Sequence, residues 1–272
     1  MAINIPEALT IDSAKKYKVS IWLRPDGYSF SGYLPESKSN FFHSQLLFDS
    51  AQLLLPSFKD FIFENTFMSW TYKQLSITLA NMRYTLIPND LYDPSQKELL
   101  AKMAWHTSQD NIYTIPVESI DATLLLQLNA ELQDFCIHSL AHPSFHHPIV
   151  SLINYWATES LNQQGIGVYV SLQGKWMHVV VFEKGAMKFA NTFHASSLEN
   201  RLYYLLLIWK TLDLNQDRDS MLLYNHDPDL LQQLKLYILH TREIGLPTEA
   251  FLLGNAVTHA PLDFIYTALC EL

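Results

Sequence analysis

Three histidines, His142, His146 and His147, fall within one six-residue stretch, and neutral imidazole is a ready zinc ligand. His142 and His146 would share a face if the stretch were helical. Pro143 and Pro148 oppose a helix there, and no Glu follows the first His as it does in the H-E-x-x-H zinc signature. The stretch is therefore expected to serve as polar packing between two halves of the chain, with a metal site as the alternative. Cys136 and His138 are neighbours in sequence, but residues two apart on a helix face different ways. A Cys–His nucleophile is not expected, and Cys136 and Cys270 read as buried apolar side chains. Asp26, Glu183 and Asp213 are carboxylates near turns or helix ends. Acid–base work needs two such groups in contact, which their spacing does not establish. His178 and His194 lie in strand-like stretches and read as structural or solvent-facing. No set of residues in the sequence specifies a reaction.

Composition narrows the classes. The 272 residues carry 18 basic and 27 acidic side chains, a net charge of −9. Nucleic-acid binding needs clustered Lys and Arg to displace counterions, so no nucleic-acid partner is expected. An apolar share of 49% against 17% charged marks a globular chain with a sizeable core. Two cysteines are too few for a disulfide framework and fit a reducing compartment. Met1 to Leu9 show no basic region followed by an apolar core. The longest apolar run, Leu202 to Trp209, falls far short of the ~20 residues that span a bilayer. The expectation is a cytoplasmic protein with no membrane insertion.

The elements that would position these groups come in a repeated order. Gly167 to Leu172, Trp176 to Phe182 and Met187 to Phe193 read as three strands, separated by turns at Gln173-Gly174-Lys175 and Glu183-Lys184-Gly185. A helix from Leu198 to Leu212 follows, opened by a Ser196/Glu199 capping box, and Met221 to Tyr224 returns as a strand. The first half repeats this. Lys18 to Leu23 and Tyr28 to Tyr33 flank the turn Arg24-Pro25-Asp26-Gly27, Phe41 to Phe48 makes a third strand, and Asp49 with Gln52 would cap a helix towards Glu64. Trp70 to Leu79 and Arg83 to Ile87 read as a hairpin turning at Asn81, and Asp93-Pro94 opens a helix to Trp105. Strands at Ile112 to Val117 and Ala122 to Leu128 precede a helix around Glu131 to His138. Pro143 to Pro148 breaks the chain and sets the boundary: residues 1–147 form a first half with an inserted hairpin, and 148–272 a second. In the second, Pro148 to Gln163 is helical, Asp227-Pro228 opens a helix to His240, Phe251 to Leu253 is a short strand, and Pro261 to Leu272 a closing helix.

Two copies of three antiparallel strands, a helix and a parallel strand resemble the duplicated ribonuclease H-like halves of the actin-like ATPase fold. The fold class expected is α/β, with two mixed five-stranded sheets and their helices. The spacing Tyr72…Leu86-Ile87-Pro88-Asn89-Asp90-Leu91-Tyr92 resembles the pilus-assembly and secretion proteins of that fold. The chain from Lys18 to Leu272 is similar to an uncharacterised bacterial family of about this length, a domain of unknown function. The resemblance to ATPases implies where a nucleotide would sit. Asp26-Gly27 stands where those enzymes place an Asp and a Gly-rich turn against phosphate, and Gly254-Asn255 where they place paired glycines against adenosine. Pro25 offers no amide hydrogen, bulky Tyr28 follows, and the second turn, Leu172 to Trp176, carries no carboxylate.

The expected function is a non-catalytic scaffold or interaction protein with a protein partner, self-association included. Exposed aromatics between Phe61 and Trp70 would form the partner surface. The alternative is a degenerate nucleotide or phosphoryl-transfer protein using Asp26, Gly27, Gly254 and Asn255. No cofactor is expected; ATP with magnesium is the one weighed and set aside.

Overall fold

The computed structural model describes residues 3–24, 27–48, 54–80, 83–105, 111–224 and 227–270, the side chains at 37–39 and 54 excepted. After a one-turn helix α1 (Ile11–Ala14), β1 (Lys18–Arg24), β2 (Gly27–Leu34) and β3 (Ser37–Leu47) form an antiparallel meander. Then come α2 (Leu54–Glu64), β4 (Gln74–Leu79), β5 (Tyr84–Pro88), α3 (Lys97–Trp105), β6 (Asn111–Val117), β7 (Ala122–Leu128), α4 (Ala130–Ser139) and β8 (Pro143–His146). The chain continues through α5 (Pro148–Ser160), a second meander of β9 (Ile166–Gln173), β10 (Trp176–Glu183) and β11 (Ala186–His194), then α6 (Leu198–Thr211) and β12 (Ser220–Tyr224). It closes with α7 (Pro228–Leu234), β13 (Thr241–Ile244), 3-10 turns at Thr248–Leu253 and Asn255–Thr258, and α8 (Leu262–Cys270).

Two compact units result, one of residues 1–116, 121–148 and 248–272, the other of 117–120 and 149–247. Each holds a five-stranded sheet of the same design: β3-β2-β1-β4-β8 in the first and β11-β10-β9-β12-β13 in the second. Three strands run antiparallel and the last two join parallel. The C-terminal segment packs in the first unit, where Phe264 of α8 meets Tyr33 at 5.6 Å and Phe41 at 5.5 Å between ring centroids.

Alternation along the strands sets two unlike faces on each sheet. In the first, Val19, Ile21 and Leu23 of β1 lie in register with Tyr28 and Phe30 of β2 and with Leu75, Ile77 and Leu79 of β4, all buried. Tyr28 meets Phe58 and Phe61 of α2 at 5.5 and 4.7 Å. The opposite face carries hydroxyls: Ser20 shares a hydrogen bond with Thr78 at 2.9 Å, and Ser31 with His43 at 2.7 Å. In the second sheet, Val168, Val170, Met177, Val179, Val181, Met221 and Leu223 form the core with Leu205, Ile208 and Trp209 of α6 and Leu230 and Leu234 of α7. Its other face is aromatic and polar, with Trp156 of α5 stacked on Tyr169 at 5.6 Å and tilted against Tyr224 at 5.4 Å. Full burial of each such ring contributes ~1.5–3 kcal/mol.

Several local expectations are corrected. Trp70 to Ile87 is not a hairpin: β4 pairs in parallel with β1 and β8, while β5 pairs with β7 in a separate sheet of order β5-β7-β6. A turn-like Asn81 between two apolar runs mimics a hairpin, but a parallel partner far away in sequence wins the pairing. Phe251 to Leu253 is 3-10 helix, the helix opened by Asp227 ends at Leu234, β8 occupies a stretch read as a break, and β13 one to which no element was assigned. Ser197 rather than Ser196 caps α6, its hydroxyl accepting from Asn200 N at 3.3 Å. The Asp49/Gln52 cap and the Asn81 turn lie outside the described residues.

Candidate functional site

The two β-hairpin tips, between β1 and β2 and between β9 and β10, are the places where the resemblance would put phosphate. At the second tip, Arg201 of α6 is the organising residue. Its Nη2 donates to the Gly174 carbonyl at 3.0 Å, its Nε to the Ala195 carbonyl at 3.0 Å, and its Nη1 to Asp227 Oδ2 at 2.6 Å. The planar guanidinium has five donors in a fixed fork, so one side chain can hold three acceptors at once. Asp227 is fixed in turn, because its Oδ1 accepts from Leu230 N at 3.0 Å as the cap of α7. Below the tip, His178 is fully buried with Nδ1 on Thr192 Oγ1 at 2.8 Å and Nε2 on Gln173 Oε1 at 3.1 Å. Burial holds its pKa down to about 3, so the ring is neutral. A phosphate cradle needs converging backbone N–H groups. This tip instead turns a carbonyl to a cation.

At the first tip, Asp26 lies outside the described residues. Gly27 opens β2 opposite Arg24 and Leu47, and a Cβ there would overlap the Leu46 carbonyl. Glycine at this position is required by the close approach of β3. Arg24 places its guanidinium 5.2 Å from the Trp22 ring centroid and donates from Nη2 to Gln45 Oε1 at 3.4 Å. Trp22 and Ser29 face each other in register, and the buried Trp22 Nε1 and Ser29 Oγ find no hydrogen-bond partner among the described residues. His43 is held down to about 4 by burial, then by the charges of Arg24 and His259. The corner therefore sets the Arg24 charge by the Trp22 ring, with Trp22 Nε1 and Ser29 Oγ lacking a partner among the described residues.

The remaining expected residues scatter. Gly254, at φ 105°, precedes the 3-10 turn that Asn255 begins, and a Cβ on it would meet nothing within 4 Å. Both belong to the first unit. His142 is exposed with φ 50°, His146 ends β8 in register with Thr78, and His147 is fully buried with its ring 4.4 Å from that of Tyr84. Among the described residues no three His, Cys, Asp or Glu side chains gather as metal ligands. Cys136 is buried and its thiol pushed up to about 12 by that burial, while exposed His138 bonds the Asp134 carbonyl at 2.7 Å. Glu183 pairs with Lys188 at 2.9 Å in solvent, and Asp213 sits in a turn at φ 51°. His194 is exposed and lies against Trp176 at 5.1 Å. Of the expected Phe61 to Trp70 surface, Phe61, Phe67 and Met68 are buried and Phe63 is exposed. No helix among the described residues is long and apolar enough to cross a membrane.

Two organising residues escaped sequence reasoning. Arg201 stands in the polar first turn of α6, just before the apolar run, and its partners Gly174, Ala195 and Asp227 are up to twenty-seven residues away. Asp219 is fully buried, its Oδ1 accepting from Ile166 N at 2.8 Å and its Oδ2 from Asn215 N at 2.7 Å. An acidic residue just before an apolar strand was the one available signal.

Comparison with known proteins places this architecture. A protein of Bacteroides thetaiotaomicron, with actin-like ATPase fold and unknown function, is 26% identical with a TM-score of 0.82, over 96% of this chain and 99% of that one. A chain of the PilM-PilN type IV pilus biogenesis complex matches at 8% identity and TM-score 0.53, over 93% of this chain and 96% of that one. The ethanolamine utilization protein EutJ of Carboxydothermus hydrogenoformans gives 11% identity and TM-score 0.43, with 89% of each chain covered. No curated protein matches the sequence. The fold is that of the actin-like ATPases. The family of proteins of unknown function DUF3822 matches residues 6–241, and the chain belongs to it.

Proposed function

We propose that this chain is a non-catalytic interaction protein, a cytoplasmic scaffold built on the actin-like ATPase fold and engaging a protein partner. The observation that carries the reading is the Arg201 clamp on the Gly174 carbonyl. The tip offers a carbonyl to a guanidinium where an ATPase would present amide N–H groups to phosphate. One fold neighbour comes from the PilM-PilN type IV pilus biogenesis complex, an assembly of proteins; fold likeness of this kind is analogy. Affinity capture from the native cell, followed by reconstitution with the retained protein, tests the reading. A stoichiometric complex that forms without nucleotide is expected, and a chain that retains nothing under any condition contradicts it.

The second reading, a degenerate nucleotide or phosphoryl-transfer protein, draws support from the first tip. There the Arg24 guanidinium lies 5.2 Å from the Trp22 ring centroid, Trp22 Nε1 and Ser29 Oγ find no hydrogen-bond partner among the described residues, and an anion would suit that corner. Thermal unfolding with and without ATP and magnesium separates the two readings.

A further inference from the structure

Within the first unit, the end of β3 and one face of α2 enclose a cavity of about 220 Å³. The sequence pattern builds it. Leu46 lies in register with Tyr28, and Phe48, two residues on, belongs to the same face of the sheet. Ser57, Asp60, Phe61 and Glu64 fall at i, i+3, i+4 and i+7 of α2, so they share one face of the helix. Buried Tyr28 and Phe61 form the floor, with ring centroids 4.7 Å apart, and half-buried Phe48 stands nearly perpendicular to Tyr28 at 4.9 Å. Tyr28 Oη and Ser57 Oγ share a hydrogen bond at 2.6 Å. Asp60 and Glu64 are exposed and stand at the rim. The Tyr28 hydroxyl is pushed above its ordinary value by burial first, with the Ser57 hydrogen bond opposing and the Asp60 charge adding to it. The negative field of the rim therefore reaches the floor.

Aromatic rings and carboxylates around one cavity suit a cation. The one basic residue of α2, Lys59, is directed elsewhere, its ammonium 5.5 Å from the Phe135 ring centroid. Size narrows the ligand: cavities for drug-sized molecules run ~300–1,000 Å³, and this one suits a single long side chain. We propose that the cavity receives a basic side chain of a partner protein, lysine or arginine, with its methylene stem on Leu46 and Phe48 and its cation at Asp60 and Glu64. The proposal rests on the reading of the chain as an interaction protein and gives the chemistry of the partner. A basic side chain joins an apolar stem to a charged end, which matches an apolar wall with carboxylates at its mouth. A bare cation would leave that wall without apolar cover. The net charge of −9 draws a basic partner towards the chain.

The test titrates the full isotope-labelled chain, read by amide NMR shifts, with acetyl-lysine methylamide and acetyl-arginine methylamide. Acetyl-norleucine methylamide serves as the analogue without charge, and methylammonium as the cation without a stem. Saturable shifts centred on Tyr28, Phe48 and the Ser57 to Glu64 face are expected with the basic probes, and far smaller ones with either control. Asp60→Asn combined with Glu64→Gln should weaken the basic probes about fivefold, and Phe48→Ala about threefold; circular dichroism melting verifies that both variants fold. No saturable shift at these residues, equal shifts with either control, or an affinity unmoved by the Asp60/Glu64 change overturns the pocket. Affinity capture from the native cell with the native and Asp60→Asn/Glu64→Gln chains separates the pocket from the broader reading. A retained protein that the double variant holds less tightly is expected. A protein held equally by both overturns the pocket and leaves the interaction reading standing. Probe binding by a chain that retains no protein overturns the partner as occupant, and the interaction reading with it.

Discussion

Arg201 Nη1 and Asp227 Oδ2 lie 2.6 Å apart, with side chains 19% and 15% exposed. The pair ties α6 to the start of α7, and through Gly174 and Ala195 it ties both to the second meander. Removing Arg201 leaves a mostly buried carboxylate and two carbonyls without donors. Arg201→Ala is expected to cost ~2–4 kcal/mol in urea denaturation. Arg201→Lys should recover little, because a single ammonium cannot reach three acceptors in that geometry.

Trp156 anchors the aromatic face of the second sheet with no exposed surface, between Tyr169 and Tyr224. Trp156→Ala should destabilise the chain by ~3–5 kcal/mol. Trp156→Phe should cost distinctly less, since it keeps a ring in the stack. The same denaturation experiment, with tryptophan fluorescence replaced by circular dichroism as the probe, reads both.

The two glycines expected to touch nucleotide should separate by mechanism. At Gly27 an added Cβ meets the Leu46 carbonyl, whereas at Gly254 it meets open space and only the φ of 105° opposes it. Gly254→Ala is expected to cost ~1–2 kcal/mol of backbone strain, and Gly27→Ala more, because β3 must move. Chemical denaturation of the two single variants gives the order directly.

Stability should fall on mild acidification. His178 is held down to about 3 in the fold, against the ordinary imidazole value of 6.5, and His43 and His146 to about 4, in each case with burial the largest cause. Below 6.5 the unfolded chain takes up protons that the folded chain refuses. The stabilisation is thus complete above 6.5 and lost as pH falls towards the folded values, approaching ~1.4 kcal/mol per pH unit for each group. Between pH 7.5 and 5.0, His178→Gln should flatten this loss by ~2 kcal/mol, measured as unfolding free energies at the two pH values.

Thiol chemistry should be selective. Burial pushes the Cys136 thiol up to about 12, while Cys270 is exposed, and only thiolates react readily. Iodoacetamide should modify Cys270 alone in the native chain and both cysteines in urea, as read by mass spectrometry.

The repeated meander was legible because its signals are local: alternating strands, tight turns with Gly174 and Gly185, and a capped helix within about sixty residues. The returning parallel strand is also borne out, where β12 joins β9, but the other parallel pairings were not legible. β4 belongs beside β1, and β13 beside β12, with a helix rather than a tight turn in each intervening segment, so no turn marks the match. Four-residue strands such as β8 and β13 carry too few alternations to show a period. The candidate site was less legible still. Asp26 and Gly27 were singled out from the turn itself, but Arg201 does its work through backbone carbonyls, which no side-chain pattern announces. Trp22 and Ser29 look like ordinary strand residues until the register sets them opposite each other.

Thermal unfolding of the intact chain with millimolar ATP and magnesium tests the central claim most directly. A ligand at 100 times its Kd adds ~2.7 kcal/mol, which raises the midpoint of a chain of this size by ~5–10 °C. The account predicts a midpoint that does not move. A nucleotide-dependent rise of that size, abolished by Arg24→Ala in a variant that still folds, would contradict it.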